Sequence, residues 1–154
     1  MPLRGPRGIE LLQGEQFVLE PSSAHLGIAA NVAGLYPWAV KGERMRYCFQ
    51  CNLTAAAAAA GDTLDVYIDA EMPDGAWGNV AHFPQMLGNG GVRNYLAVLD
   101  ASTPGTAVID LTTDCAVNVT RPAVFGPSFR TRYTIAGVGS QSFTFAVQAY
   151  ALTR

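Results

Sequence analysis

The stretch GDTLDVYIDAEMPDGAWGNVAHFPQMLGNGG, residues 61–91, decides how the rest of the chain is read. Leu64, Val66 and Ile68 alternate with Thr63, Asp65, Tyr67 and Asp69, and a period of two marks a strand with one buried face. Pro73, Asp74 and Gly75 supply turn chemistry, an apolar run follows over residues 77–87, and Asn89, Gly90 and Gly91 turn the chain again. That order predicts a hairpin-like β unit at the centre of the protein.

The same pattern extends outward in both directions. Residues 44–53 read as a strand with Met45, Tyr47, Phe49, Cys51 and Leu53 inward and Arg44, Arg46, Gln50 and Asn52 outward. Further strands are expected at 93–99, 107–111, 116–120, 129–135 and 142–150, with a short hairpin of 9–12 and 17–20 around Gly14. Residues 21–39 read mostly as loop, because Pro21, Gly34 and Pro37 interrupt any period. The six alanines at 55–60 are too few for an independent helix and predict a helical turn or a tight connector. Short strands separated by frequent turns predict an all-β, single-domain antiparallel β-sandwich or jelly-roll-like barrel over residues 9–154. Residues 1–8, MPLRGPRG, read as an extended N-terminal arm, since two prolines and two glycines exclude a helix or a central strand.

Composition narrows the function. The chain has 154 residues, 49% of them hydrophobic, so it can bury a core without disulfides or metals. Charged residues make up only 14%, well below the ~25% of ordinary soluble domains. Such a surface is either covered by partners or kept wet by neutral polar groups. A net charge of -2 gives no basic field for direct nucleic-acid binding. The local basic groups, Arg4 with Arg7, Lys41 with Arg44 and Arg46, and Arg130 with Arg132, suit solvated strand faces or acidic patches on a neighbour. No apolar run is long enough for a secretory signal or a membrane helix, so a protein made in a cytoplasm is expected.

No catalytic constellation emerges. Cys48 and Cys51 form a single C-x-x-C without a second pair. On a strand they would point to opposite faces about 10 Å apart, so neither zinc nor a disulfide is expected. His25 and His82 are the only histidines, and His82, in a strand beside Phe83, reads as a structural imidazole. Asp65 and Asp69 share a strand face at roughly 13 Å, too far apart for a glycosidase pair. The cluster with Asp62, Glu71 and Asp74 lacks a calcium-loop pattern. No cofactor or metal is expected. Trp38 and Trp77, with Tyr36, stand beside turn residues. They form either an aromatic platform for glycans or, for Trp77, a lid on one end of the core.

The segments TLDVYID, PDG with Trp77, and His82-Phe83 with Gln85 and Gly88 resemble small structural proteins from the head modules of tailed bacteriophages. The late SFTFAV, residues 142–147, resembles their closing strand. The turn at residues 73–77 is shorter than the common form. The resemblance covers about 30 central residues and the last strand, and it carries no catalytic residues. It implies a virion component, foremost a capsid decoration or cement protein on the major capsid protein lattice, at the capsid surface and made in the bacterial host cytoplasm. It also implies a homo-oligomer, such as a trimer around a symmetry axis. Arg4, Arg7, Tyr36, Trp38 and Lys41 are the expected contacts. The alternative is a tail, head–tail connector or glycan-binding surface component, the last acting through Trp38 and Trp77.

Overall fold

A computed structural model describes residues 14–40, 46–100, 108–122, 124 and 126–152. The expected arm, the 9–12 strand and Lys41 lie outside them. Eleven strands follow in chain order: β1 (Gly14–Leu26), β2 (Ala29–Ala33), β3 (Trp38–Ala39), β4 (Arg46–Ala55), β5 (Thr63–Glu71), β6 (Trp77–His82), β7 (Met86–Leu87), β8 (Arg93–Asp100), β9 (Val119–Thr120), β10 (Ser128–Ala136) and β11 (Ser142–Leu152). They build two antiparallel sheets. One is four-stranded in the order β1-β11-β4-β8, and the other runs β2-β10-β5-β6-β9, with β3 on β10 and β7 on β5. No ladder joins the two sheets among the described residues, which makes the architecture sandwich-like.

One hydrophobic cluster fills the space between them. Tyr47, Phe49, Cys51 and Leu53 of β4 and Phe143, Phe145 and Val147 of β11 face Leu64, Val66 and Ile68 of β5 and Phe129 and Ile135 of β10. The alternation read from the sequence is thus the burial pattern of each central strand. The hairpin at residues 72–76 closes with the Met72 amide on the Ala76 carbonyl and Gly75 at φ 81°. Gly75 accordingly needs the left-handed region that other residues reach only at a cost.

Several expectations are corrected. Gly14 is not a turn, because β1 runs unbroken from it and pairs with β11. Residues 21–39 are not mostly loop: β1 continues to Leu26, and β2 and β3 follow. Pro21 is tolerated because β1 is an edge strand and its register shifts between Val18 and Glu20 and again between Glu20 and Ser23, bulges where a missing N–H breaks no ladder. Residues 108–111 form no strand; Ile109 and Leu111 pack on the core without a ladder. The 116–120 strand shrinks to two residues behind Asn118, which sits at φ 64°. The apolar run 77–87 splits into β6 and β7 around Phe83 and Pro84.

The alanine run is a connector. Ala55 ends β4, Ala57 is buried, and the carbonyls of Ala57 and Ala59 accept from the amides of Asn89 and Asp62. Gly88 lies against this connector so closely that a Cβ would collide with the Ala59 carbonyl. Gly88→Ala should therefore cost about 3 kcal/mol, the upper range for overpacking against an unyielding neighbour. Gly75→Ala, with nothing near its Cβ, should cost only about 1 kcal/mol of left-handed strain. Urea unfolding of both variants measures the contrast.

Candidate docking surface

The ionisable residues of the central stretch gather on the outer face of the larger sheet. Asp65, Tyr67 and Asp69 stand beside Arg130, Arg132 and Thr134 on β10 by register. A bulge between Ile68 and Asp69 pairs Asn79 with Asp69 and His82 with Tyr67, so residues three apart on β6 share this face. Arg132 donates to Asp69 at 3.0 Å and to Asp114, and its guanidinium lies 4.2 Å over the Tyr67 ring. Burial would lower the Arg132 guanidinium, but the hydrogen bonds and charges of Asp69 and Asp114 outweigh it and keep the group charged.

A segment spanning residues 108–122 covers part of this layer. The Asn79 side-chain oxygen accepts from the Cys115 amide at 2.9 Å and from its thiol at 2.6 Å. Arg121 donates to the Asn79 and Thr113 carbonyls. His82 has Nε2 3.0 Å from Asp65 and Nδ1 3.2 Å from the Cys115 carbonyl. Both ring nitrogens are engaged, and among the described residues no hydroxyl or thiol is bonded to either, which suits a strut better than a base. Burial alone would raise the Asp65 carboxyl; hydrogen bonds from His82 and Gln85 and the charge of His82 hold it below the usual carboxylate range. This contribution to stability is complete above the unfolded carboxylate pKa of about 3.9 and is lost as pH falls through the lower folded value. Asp65→Asn should thus narrow the stability gap to the wild type below about pH 4, as acid titration of the melting temperature would read.

The predicted contacts separate. Trp38 is a core residue, 1% exposed and stacked on Phe17 at 5.9 Å. A ring so enclosed offers no face to a sugar or a neighbour, because β3 ties it to β10 through Phe129. Tyr36, two residues earlier, is exposed. Trp77 is half-buried, with the Arg130 guanidinium 4.5 Å over its ring. Its surroundings, among them Met72, Asp74 and Leu111, line a cleft of about 440 Å³. Arg4, Arg7 and Lys41 lie outside the described residues.

The outer face of the four-stranded sheet has the opposite character. Register aligns two rows across all four strands: Val18, Gln148, Gln50 and Leu96 in one, Gln16, Tyr150, Cys48 and Val98 in the other. Neither row contains a charge. Leu96 is 66% exposed, and Val18, Val98 and Tyr150 are exposed as well. Below the rows Arg46 and Asp100 neutralise each other at 2.9 Å, and above them Gln50 donates to Asn94 at 2.9 Å. Cys48 lies in the second row, whereas Cys51 points into the core, where burial pushes its thiol up to about 12. The sequence showed the alternation of β4 and β11. It did not show which strands would be neighbours, and so it hid this face.

No family model and no curated protein matches the chain. The fold itself has a solved counterpart. A chain in the "Structure of infectious bursal disease virus Gx strain" superposes with a TM-score of 0.52 at 12% identity, over 92% of this chain and 32% of that one. The protein therefore spans about a third of the length of that viral chain, and the likeness is one of fold. Among the described residues no cluster of His, Cys, Asp or Glu could hold a metal, and no helix is long and apolar enough to cross a membrane.

Proposed function

We propose that this chain is a non-enzymatic structural protein of a tailed-phage virion, a capsid decoration or cement protein. It binds the major capsid protein lattice through the uncharged outer face of the four-stranded sheet. The observation that carries the reading is that face: two rows of neutral side chains four strands wide, with the nearest ions paired. Burying it costs no desolvation of charge, and its apolar side chains supply the core of an interface whose rim is amide. Standard interfaces bury about 1,600 Å² in total, and repetition over a symmetric lattice multiplies a modest single contact. The phage-head resemblance of the central hairpin and the fold of a viral chain support the same direction. Arg4, Arg7, Lys41 and Tyr36 remain proposed rim contacts, and copies are proposed to associate around symmetry axes.

The copy number per particle tests the position. Hundreds of copies, with loss of the protein weakening particles to heat, fit the proposal; six or twelve place the protein in the tail or connector. A glycan-binding surface role is favoured by one observation, the half-buried Trp77 ring beside an open cleft. Trp77→Ala that abolishes glycan binding while leaving particle stability intact would establish that reading instead.

A further inference from the structure

The end of the sandwich where β1 meets β2 and β10 meets β11 is built from four uncharged connections. They are residues 26–28, 55–61, 87–92 and 137–141, which read LGI, AAAAAAG, LGNGGV and GVGSQ. The register places all four together: Leu26 pairs with Ser142, Ala55 with Thr144, and Leu87 and Ala136 flank Thr63. Backbone contacts knit them, with the Gly27 amide on the Gln141 carbonyl and the Asn89 amide on the Ala57 carbonyl.

Five large aliphatic side chains stand out from this end. Leu26 is 75% exposed, Ile28 72% and Val138 96%, and Leu87 and Val92 join them. Together they leave on the order of 500 Å² of aliphatic surface in water, at the top of the range for the largest patch on a monomer. The exposed alanines and glycines of the same connections extend the patch toward the ~800 Å² per partner of a standard interface. Of the ions nearby, Asp62 and His25 are buried or paired, and Arg93 is exposed at the edge of the patch beside Gly90. Asp62 is fully buried and accepts from the amides of Val138 and Gly139 at 3.1 Å. His25 is paired with Glu20, and Arg93 donates to the Val92 carbonyl. Asp62 thus fixes the most exposed turn from beneath, so its shape is set before any partner arrives.

We infer that this end is an interface with a second copy of the chain. Apart from the exposed Arg93 at its edge, the patch carries no charge and meets itself with little like-charge repulsion, which self-association through one patch requires. Its glycine turns let two backbones approach closely. A lipid occupant fits less well, because the four connections contain no Trp, Tyr, Lys or Arg to anchor them at a bilayer surface. The inference builds on the proposed association of virion copies, but it concerns a surface separate from the lattice-docking sheet.

Sedimentation of the purified full chain at about 100 µM, which saturates even a micromolar Kd, tests it. The wild type should sediment as an oligomer, and Ile28→Lys and Val138→Asp should each raise the dissociation constant at least about tenfold. Both positions are solvent-exposed, and a far-UV circular dichroism spectrum like the wild type's confirms that the variants are folded. Leu96→Lys should keep the oligomer. A wild type that is monomeric, variants that assemble as the wild type does, or flotation of the wild type with phosphatidylcholine vesicles would each overturn the inference. Loss of shell binding with assembly intact would instead overturn only the virion reading.

Discussion

Trp38→Ala is expected to cost about 4 kcal/mol of stability, in the range for truncating a buried aromatic. The melting temperature should fall by roughly 10 °C in a domain of this size. The ring is enclosed by Phe17, Tyr47 and Phe129, with centroids 5.9, 6.2 and 6.1 Å away. It also anchors β3, a two-residue strand whose only ladder partner among the described residues is β10. Removing the ring opens a cavity and loosens the passage from β2 to β4. Trp38→Phe should recover much of the loss, since it restores most of the apolar contact. Denaturant unfolding reads both variants, and an alanine variant as stable as the wild type would mean that Trp38 does not belong to the core.

Asp69→Leu should be nearly as damaging, at about 3–5 kcal/mol, because it deprives the buried Arg132 and the half-buried Arg130 of their shared carboxylate. Asp69 is 2% exposed and receives Arg130 at 3.3 Å and Arg132 at 3.0 Å. Arg132 keeps Asp114 and Asn31 as partners, which places the expected loss toward the lower figure. The double variant Asp69→Leu/Arg132→Met should be more stable than Asp69→Leu alone, since it removes the more buried of the two cations that lose Asp69 and leaves only Arg130 and the exposed Asp114 to be solvated. A double-mutant cycle by calorimetry measures this. Strictly additive losses would show that the two residues do not act as a pair.

The central strands were legible in the sequence because each buries one face. Leu64, Val66 and Ile68 of β5, and Phe143, Phe145 and Val147 of β11, alternate without interruption, and both proved to be inward rows. Legibility failed where something other than alternation decides the backbone. Pro21 reads as a break, yet sits harmlessly in a bulged edge strand. Residues 108–111 alternate like a strand but pair with no neighbour among the described residues. Alternation places Asp69 on the polar face of its strand, and its burial depends on Arg130 and Arg132, more than 60 positions away in the chain. Asn79 and His82 share a face only because a bulge adds one residue to β6. The low charge content pointed correctly to a surface short of ions. Where that surface lies follows from strand order, which no periodicity encodes. Of the predicted contact aromatics, Trp38 is in the core because its two-residue strand turns inward, whereas Tyr36 remains at the surface.

Cosedimentation with DNA-free shells assembled from the major capsid protein proposed as the chain's partner tests the central claim most directly. The wild type should pellet with the shells in saturable, many-copy stoichiometry, and Leu96→Lys combined with Tyr150→Asp should leave the protein in the supernatant while still folded. A wild type that ignores the shells, or a doubly charged variant that binds them equally well, would contradict it.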